Sequence, residues 1–162
     1  MRSEETSNDF ATTADVISEV LNEYEKRGII FDVFACIYPT APFVSSVKLS
    51  KAMDSLITEN ADGVVSVVRY SFPPQRAFVI QDGKLKYQYP QYERSRNQDL
   101  EPIYHDCGQF YICFCNSFLQ HRSMILQNTI PFIIPENEVQ DIDNISDWLI
   151  AEAKFAVLTT IL

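Results

Sequence analysis

The sequence predicts a single α/β domain with a mostly parallel sheet. Apolar runs of strand length alternate with segments whose apolar residues recur at helical spacing, which is typical of strand-helix-strand crossover units. The chain has 162 residues, of which 46% are hydrophobic, and this is enough for one ordinary domain with a buried core. We therefore treat residues 1–162 as one domain.

The first part of the chain contains one crossover unit. Helix caps, helical spacing of apolar residues and continuous apolar runs mark its elements. We expect its first strand to be buried on both faces, because the run is apolar at nearly every position. The predicted elements, in order, are a helix capped by Thr12 or Thr13 with Gly28 at its exit, a strand at 29–38, a helix around 47–57 and a strand at 63–70.

The periodicity breaks between residues 71 and 108, and we interpret this segment as an excursion from the sheet. It contains an Asp82-Gly83 pair between two short β-prone runs, which is a hairpin signal. Asn144 and Asp147 later form a capping-box pattern for a last helix. The elements predicted after the excursion are a strand at 109–114, a short helix at 117–121, a strand at 130–134 and this last helix.

The charge balance and the apolar pattern argue against nucleic acid and membrane partners. The formal net charge is -9, whereas nucleic-acid binding usually depends on clustered Lys and Arg. No uncharged apolar run approaches the roughly eighteen residues that span a bilayer, and the first residues lack a signal-peptide pattern, so we expect the cytoplasm. The four cysteines have no C-x-x-C pairing and are predicted to be buried, reduced thiols.

Two acidic residues are the first candidates for a site. Asp141 and Asp143 are two residues apart and would point to one side of an extended segment. Such a pair can hold Mg²⁺ beside a phosphate, because this ion is commonly bound by one or two carboxylates. The alternative is a solvated acidic turn in which Asp143 or Asn144 caps the last helix.

A second cluster lies inside the excursion and contains forked cations and amides. Arginine binds a carboxylate through two parallel hydrogen bonds, so the cluster suits an acidic small molecule. The alternative is a group of surface ion pairs. His105 has no paired Ser or Cys signature, and a structural role is the simpler interpretation. The residues of the cluster are Arg94, Arg96, Gln98, Asp99 and Tyr104.

Four stretches, taken together and in order, resemble one enzyme family over nearly the whole chain. It is the family of cytidylyltransferases that make CMP-activated nonulosonic acids for bacterial surface glycans or flagellin, and the pseudaminic acid branch is most similar. The resemblance implies a Rossmann-like, three-layer nucleotidyltransferase fold. The stretches are residues 2–5 with 9–16, residues 37–43, residues 96–102 with Tyr104 and 108–111, and residues 140–143 with Trp148.

The resemblance also implies roles for individual residues. Arg2, the backbone of Ala11 and Thr13 match positions that contact the cytidine part of CTP. Asp141 and Asp143 match the pair that holds catalytic Mg²⁺. In relatives, the segment that matches residues 71–108 forms much of the dimer contact and reaches the sugar-binding region. The resemblance therefore implies a homodimer. The positions that match sugar-binding ones are Tyr38, Gln75, Arg76, Arg96, Gln98 and Tyr104.

The choice of sugar depends mainly on Tyr38. Sialic acid relatives generally have Gln at this position, so the tyrosine favours pseudaminic acid, while sialic and legionaminic acids stay open as alternatives. The implied reaction is attack of the sugar's anomeric hydroxyl on the α-phosphorus of CTP, with pyrophosphate as the leaving group. No residue stands out as the general base.

The family's glycine-rich, basic phosphate loop does not occur in these 162 residues. At about 30 residues per unit, roughly 60 to 70 residues of the family's first strands have no counterpart here. We therefore expect an exposed sheet edge with apolar faces, and impaired activity for the chain alone. Two further hypotheses are a loop supplied by another chain and a non-catalytic module that binds the sugar and dimerises.

Overall fold

The structure is a computed structural model that describes residues 3–161, and it has the predicted α/β architecture. Within residues 3–161, four α-helices and six strands alternate along the chain except where the second to fifth strands follow one another. They are α1 (Thr13–Glu25), β1 (Val33–Ile37), α2 (Ser46–Thr58), β2 (Gly63–Arg69), β3 (Phe78–Gln81), β4 (Lys84–Tyr87), β5 (Tyr104–Phe114), α3 (Cys115–His121), β6 (Thr129–Ile133) and α4 (Ile145–Ile161).

Four strands form the main sheet in the order β1-β5-β2-β6. Three of them point in one direction, while β5 runs antiparallel to both of its neighbours, β1 and β2. The sheet is therefore mostly parallel in strand direction, as predicted. The insertion of β5 between β1 and β2 was not predicted, because periodicity identifies a strand but does not give its place or direction in the sheet.

Helices cover both faces of this sheet and make three layers. On one face, Ala52 and Leu56 of α2 pack on Phe110 and Ile112 of β5, and all four are at most 1% exposed. On the other face, α1 and α3 contribute the buried residues Leu21 and Phe118. Fully burying a side chain of this size is worth about 1.5–3 kcal/mol, so these contacts hold the strand ends in fixed positions.

The helix caps confirm the local sequence signals. Thr12, rather than Thr13, is the N-cap of α1, and it forms a capping box with Asp15. The hydrogen bonds with Thr12 lower the pKa of Asp15. At α4, Asn144 Oδ1 accepts from the backbone N–H of Asp147 at 3.2 Å, and Asp147 Oδ2 accepts from that of Asn144 at 3.1 Å. Reciprocal bonds of this kind satisfy backbone donors that have no partner within the helix.

The prediction for the first strand was wrong in length and burial. β1 covers only Val33–Ile37, and neither face is fully buried. It is an end strand of the sheet, and among residues 3–161 it has a strand partner only in β5. Ile30 is 79% exposed and Ile37 is 45% exposed. The apolar run therefore lies along an open edge, which agrees with the expected exposed edge and apolar surface.

The excursion contains the predicted hairpin. β3 and β4 form a separate two-stranded sheet, and its turn residues Asp82 and Gly83 both have positive φ, at 51° and 70°. Two consecutive positive φ values are typical of the turn that matches strand twist in a hairpin. β5 already begins at Tyr104, so the predicted end of the excursion at Gly108 was too late.

The cysteine and membrane expectations can be compared with the described part of the chain. Cys107, Cys113 and Cys115 are buried free thiols, as predicted, whereas Cys36 is only half-buried. Burial raises the pKa of all four thiols, and that of Cys113 to about 12. Of the helices within residues 3–161, none has the length and apolar character needed to cross a bilayer.

Candidate functional site

The candidate nucleotide and sugar residues meet beyond the carboxyl end of β1. The hydroxyl oxygens of Thr13, at the start of α1, and Tyr38, directly after β1, are 3.1 Å apart. The backbone N–H of Tyr38 donates to the carbonyl of Gln109, which ties the residue to β5. In open α/β sheets, ligands bind beyond the carboxyl ends of the strands. Thr13 and Tyr38, which the resemblance matched to nucleotide and sugar positions, thus lie together at this end of the sheet.

Asp141 lies at the same edge as Tyr38. Thr40, two residues after Tyr38, directs its hydroxyl at Asp141 Oδ1 across 3.4 Å, a long hydrogen bond. Gly108 lies on the other side of Asp141, and a Cβ at this glycine would be 3.5 Å from Asp141 Oδ2. That distance is an ordinary van der Waals contact, so the reason for glycine at this position is its positive φ of 64°.

Several side chains fix the segment that leads to Asp141. The ammonium of Lys48 in α2 is 2.6 Å from a carboxylate oxygen of Glu138. The carbonyl of Glu138 accepts a hydrogen bond from the Gln109 amide at 2.5 Å. Lys154 of α4 donates to the Val139 carbonyl at 2.5 Å and to the Gln140 side chain at 3.2 Å. The segment is therefore held from three directions.

The two carboxylates fit Mg²⁺ in number and exposure. Asp141 and Asp143 are exposed, while Ile142 between them is half-buried and lines a groove with Pro42 and Trp148. That both acids point to one side and share one Mg²⁺ stays a prediction. No group of three or more His, Cys, Asp or Glu side chains in residues 3–161 is arranged to hold a metal. A site with one or two carboxylates leaves positions for water and phosphate oxygens, as Mg²⁺ prefers.

Asp143 also takes part in the helix start that the alternative interpretation described. Its backbone N–H donates to Asp147 Oδ2 at 3.0 Å. The cap itself is Asn144, whose side chain accepts from Ser146 and Asp147. The capping turn therefore uses the backbone of Asp143 and leaves its carboxylate exposed toward solvent.

Tyr111 and Asp106 adjoin Tyr38 and Gly108, and neither was predicted to be a site residue, although Tyr111 lies in a stretch that carries the resemblance. Tyr111 is 5% exposed, and its ring centroid is 5.6 Å from that of Tyr38. Its hydroxyl donates to Asp106 Oδ2, and burial, together with this hydrogen bond, raises the pKa of Tyr111. Asp106 Oδ1 accepts from the backbone N–H of Gly108 at 2.9 Å. Sequence periodicity shows Tyr111 only as a strand residue.

The candidate residues of the excursion form a separate group. Gln75 is 9% exposed and donates to the Glu101 carbonyl at 2.8 Å, while its buried Oε1 has no hydrogen-bond partner within the described residues. Arg76 donates to Asn97 at 3.0 Å, and its buried Nε likewise has no partner there. Unpaired buried polar atoms are uncommon in folded proteins.

The remaining excursion residues have different surroundings. Arg96 makes two hydrogen bonds to Asp99, of 2.7 and 3.0 Å, so its guanidinium is engaged in a surface ion pair. Gln98 lines a cavity of about 610 Å³ beside the carboxyl ends of β2 and β6. Tyr104 is 41% exposed and lies opposite Arg69 in the sheet. Within residues 3–161, no hydrogen bond or ion pair joins this group to Thr13, Tyr38 or Asp141.

Ala11, Arg2 and His105 are the remaining residues that the sequence analysis considered. Ala11 is half-buried next to the start of α1, and its backbone N–H donates to Asn8 Oδ1 at 3.0 Å. Arg2 lies outside the described residues. His105 has a ring nitrogen 2.8 Å from the Asp106 carbonyl, and its ring centroid is 4.5 Å from that of Tyr70. These contacts suit the structural role that the sequence favoured.

Known proteins resemble the chain over most of its length, although no family model matches it. The pseudaminic acid cytidylyltransferase of Campylobacter jejuni is 28% identical over 158 residues, which cover 97% of this chain and 68% of that protein. The CMP-N,N'-diacetyllegionaminic acid synthase of Legionella pneumophila is 26% identical, with 94% and 66% covered. The N-acylneuraminate cytidylyltransferase of Streptococcus agalactiae is 25% identical, with 92% and 35% covered. The resemblance found in the sequence is confirmed: over most of its length the chain is similar to proteins named as cytidylyltransferases of pseudaminic acid and N-acylneuraminate and as a synthase of CMP-N,N'-diacetyllegionaminic acid.

Proposed function

We propose that this protein transfers CMP from CTP to a nonulosonic acid, and that the sugar is pseudaminic acid. The observation that carries the proposal is the meeting of Thr13, Tyr38 and Asp141 at one edge of the sheet. These residues were assigned separately to nucleotide, sugar and metal. The names of the relatives support the reaction class, and Tyr38 in place of the Gln expected for sialic acid favours pseudaminic acid.

Each residue has a defined task in the proposed reaction. Arg2, Ala11 and Thr13 hold the cytidine part, and Tyr38 contacts the sugar whose anomeric hydroxyl attacks the α-phosphorus. Asp141 and Asp143 hold Mg²⁺, which when bound neutralises phosphate charge and supports departure of pyrophosphate. Alignment of the two substrates is the main contribution of these residues.

The acidic sugar also needs a partner for its carboxylate, and Gln75 and Arg76 suit this role. The unpaired Nε of Arg76 is a donor, and a guanidinium binds carboxylates well. Gln98 and Tyr104 would contact the sugar from the same excursion, and Arg96 would join them once released from Asp99. Gln98 and Tyr104 lie at the carboxyl ends of β2 and β6, the same end of the sheet as Tyr38, and we include in the proposal the homodimer that the resemblance implies.

The exposed side of the excursion supports the homodimer. Phe72 is 85% exposed, Ile80 is 77% exposed and Leu85 is 64% exposed. Apolar side chains grouped in this way on a surface mark contact regions. Analytical ultracentrifugation of the wild type and of an Ile80→Lys variant tests this part, since the substitution places a charge in the proposed contact.

Efficient turnover needs cationic and backbone groups around the triphosphate, as glycine-rich loops provide. No such loop occurs in the 162 residues, so we propose that a segment outside them completes the phosphate site. The second candidate function follows from the same observation. A chain that lacks the loop, binds the sugar and dimerises, but does not catalyse the reaction, would be a binding module.

Release of pyrophosphate from CTP, Mg²⁺ and pseudaminic acid tests the proposal. The chain should be assayed alone and fused to the part of the Campylobacter protein that it does not match. We expect turnover by the fusion, a loss of about 100-fold or more in Asp141→Asn and Asp143→Asn, and no change in Asp54→Asn on the exposed face of α2. Sugar binding without turnover in either form would favour the binding module.

A further inference from the structure

The side chain of Asp106 connects the two halves of the candidate site. One half is the nucleotide and sugar side, with Thr13 and Tyr38, and the other is the proposed metal side, with Asp141. Asp106 itself belongs to neither set. Each of its two carboxylate oxygens has a different hydrogen-bond donor, and each donor leads to one half.

The first oxygen acts through Tyr111. A buried phenol hydroxyl needs a partner, and the carboxylate of Asp106 accepts its hydrogen bond. This bond fixes the end of the Tyr111 ring, which packs on the ring of Tyr38 at a tilt of 53°. Tyr38 in turn places its hydroxyl 3.1 Å from that of Thr13. The position of the Tyr38 hydroxyl thus depends on Asp106.

The second oxygen acts through the turn at Gly108. It accepts the Gly108 backbone N–H at 2.9 Å and holds a conformation with positive φ. Asp141 packs on this turn, with its carboxylate oxygens 3.5 and 3.9 Å from the position of a Cβ at Gly108. Movement of the turn would therefore move the surface that supports Asp141.

We propose that Asp106 is a positioning residue, which holds Tyr38 through Tyr111 and supports Asp141 through the Gly108 turn. The inference rests on the proposed function, because it assumes that CTP and a divalent cation bind at this edge. A merely structural Asp106 would only satisfy the buried hydroxyl of Tyr111. A positioning Asp106 affects two kinds of ligand through two separable contacts.

Binding of CTP in Mg²⁺ by calorimetry, and of Mn²⁺ alone by electron paramagnetic resonance, tests this separation on the full chain fused to the unmatched part of the Campylobacter protein. Tyr111→Phe removes only the first contact, so CTP affinity should fall by about three- to tenfold while Mn²⁺ affinity stays unchanged. Asp106→Ala removes both contacts, and both affinities should fall by about three- to tenfold. Asp106→Asn can still accept from Gly108, so it should recover Mn²⁺ affinity.

Asp62→Ala is the matched control. Asp62 also accepts a hydrogen bond from a side-chain hydroxyl, that of Ser117 at 2.8 Å, but it precedes β2 at the opposite edge of the sheet. Both affinities should stay at the wild-type values in this variant.

Three results would overturn the inference. They are wild-type affinities in Asp106→Ala, equal losses of CTP and Mn²⁺ affinity in Tyr111→Phe, and losses in Asp62→Ala as large as those in Asp106→Ala. A fusion with the wild-type sequence that binds neither CTP nor Mn²⁺ contradicts the proposed function itself, and the inference fails with it. Tyr111→Phe removes a single oxygen atom, so the test stands even if Asp106→Ala does not fold.

Discussion

The ion pair between Lys48 and Glu138 links the fold to the proposed metal site. Its nitrogen and oxygen are 2.6 Å apart, and the two side chains are only 15% and 30% exposed. Lys48 also donates to the Phe43 carbonyl at 2.7 Å. The Lys48→Met variant keeps most of the aliphatic stem and removes the charge. It therefore leaves a partly buried carboxylate without its cation.

The expected loss lies between the values for exposed and for fully buried pairs. We expect Lys48→Met to lower the free energy of unfolding by about 1–2 kcal/mol. For a domain of this size each kcal/mol changes Tm by about 2–4 °C, so Tm should fall by roughly 2–8 °C. The Asp141 segment should also loosen, and CTP affinity in Mg²⁺ should fall severalfold.

Urea unfolding of Lys48→Met, Glu138→Gln and the double variant measures the pair directly. The double variant should lose less than the sum of the single losses, because both substitutions remove the same contact. Lys26→Met is the control, since Lys26 and Glu23 form an exposed pair on α1, with side chains 71% and 47% exposed. Strictly additive losses would refute the view that this pair holds the segment.

Three further predictions concern stability and thiol chemistry. Leu56→Ala, at a position that is 0% exposed, should cost about 2–5 kcal/mol in urea unfolding, whereas a loss below 1 kcal/mol would contradict the packing of α2 on the sheet. Thr12→Ala should cost about 1 kcal/mol through loss of the α1 cap, and Thr12→Ser should restore it. With a thiol reagent at pH 8, Cys36 should react first, because it is only half-buried. Cys113 is buried and has a pKa of about 12, so it should react only on unfolding. A Cys36→Ser variant that keeps the fast phase would contradict this assignment. Because the folded pKa of Cys113 is above its usual value of 9.0, its contribution to stability is present below pH 9 and is lost as the pH rises toward 12.

Local signals in the sequence predicted the elements well. The capping box at Asn144 and the hairpin at Asp82-Gly83 are determined by residues close in sequence, and both are confirmed. The position of β5 depends on contacts between distant segments, and so does the exposure of residues 29–31. Periodicity carries no information on such contacts, which explains why the first strand was predicted to be fully buried.

The candidate site likewise contains residues that the sequence identified and residues that only the folded structure shows. The resemblance supplied Thr13, Tyr38 and Asp141; the structure brings the first two into contact and holds Asp141 against Thr40, two residues after Tyr38. Asp106 and Tyr111 were missed because their hydrogen bond becomes visible only when the turn at Gly108 is folded. Arg96 looked like a carboxylate-binding residue, yet its nearest acid, Asp99, is three residues away in the sequence and pairs with it.

Identification of the reaction product tests the central claim most directly. The chain, alone and fused to the unmatched part of the Campylobacter protein, should be incubated with CTP and Mg²⁺ and with pseudaminic, N-acetylneuraminic or N,N'-diacetyllegionaminic acid in parallel. Mass spectrometry should then detect a CMP-linked sugar, formed fastest from pseudaminic acid. A CMP-linked product from one of the other two acids alone would contradict the assigned sugar, and no CMP-linked product from any of the three would contradict the transferase assignment.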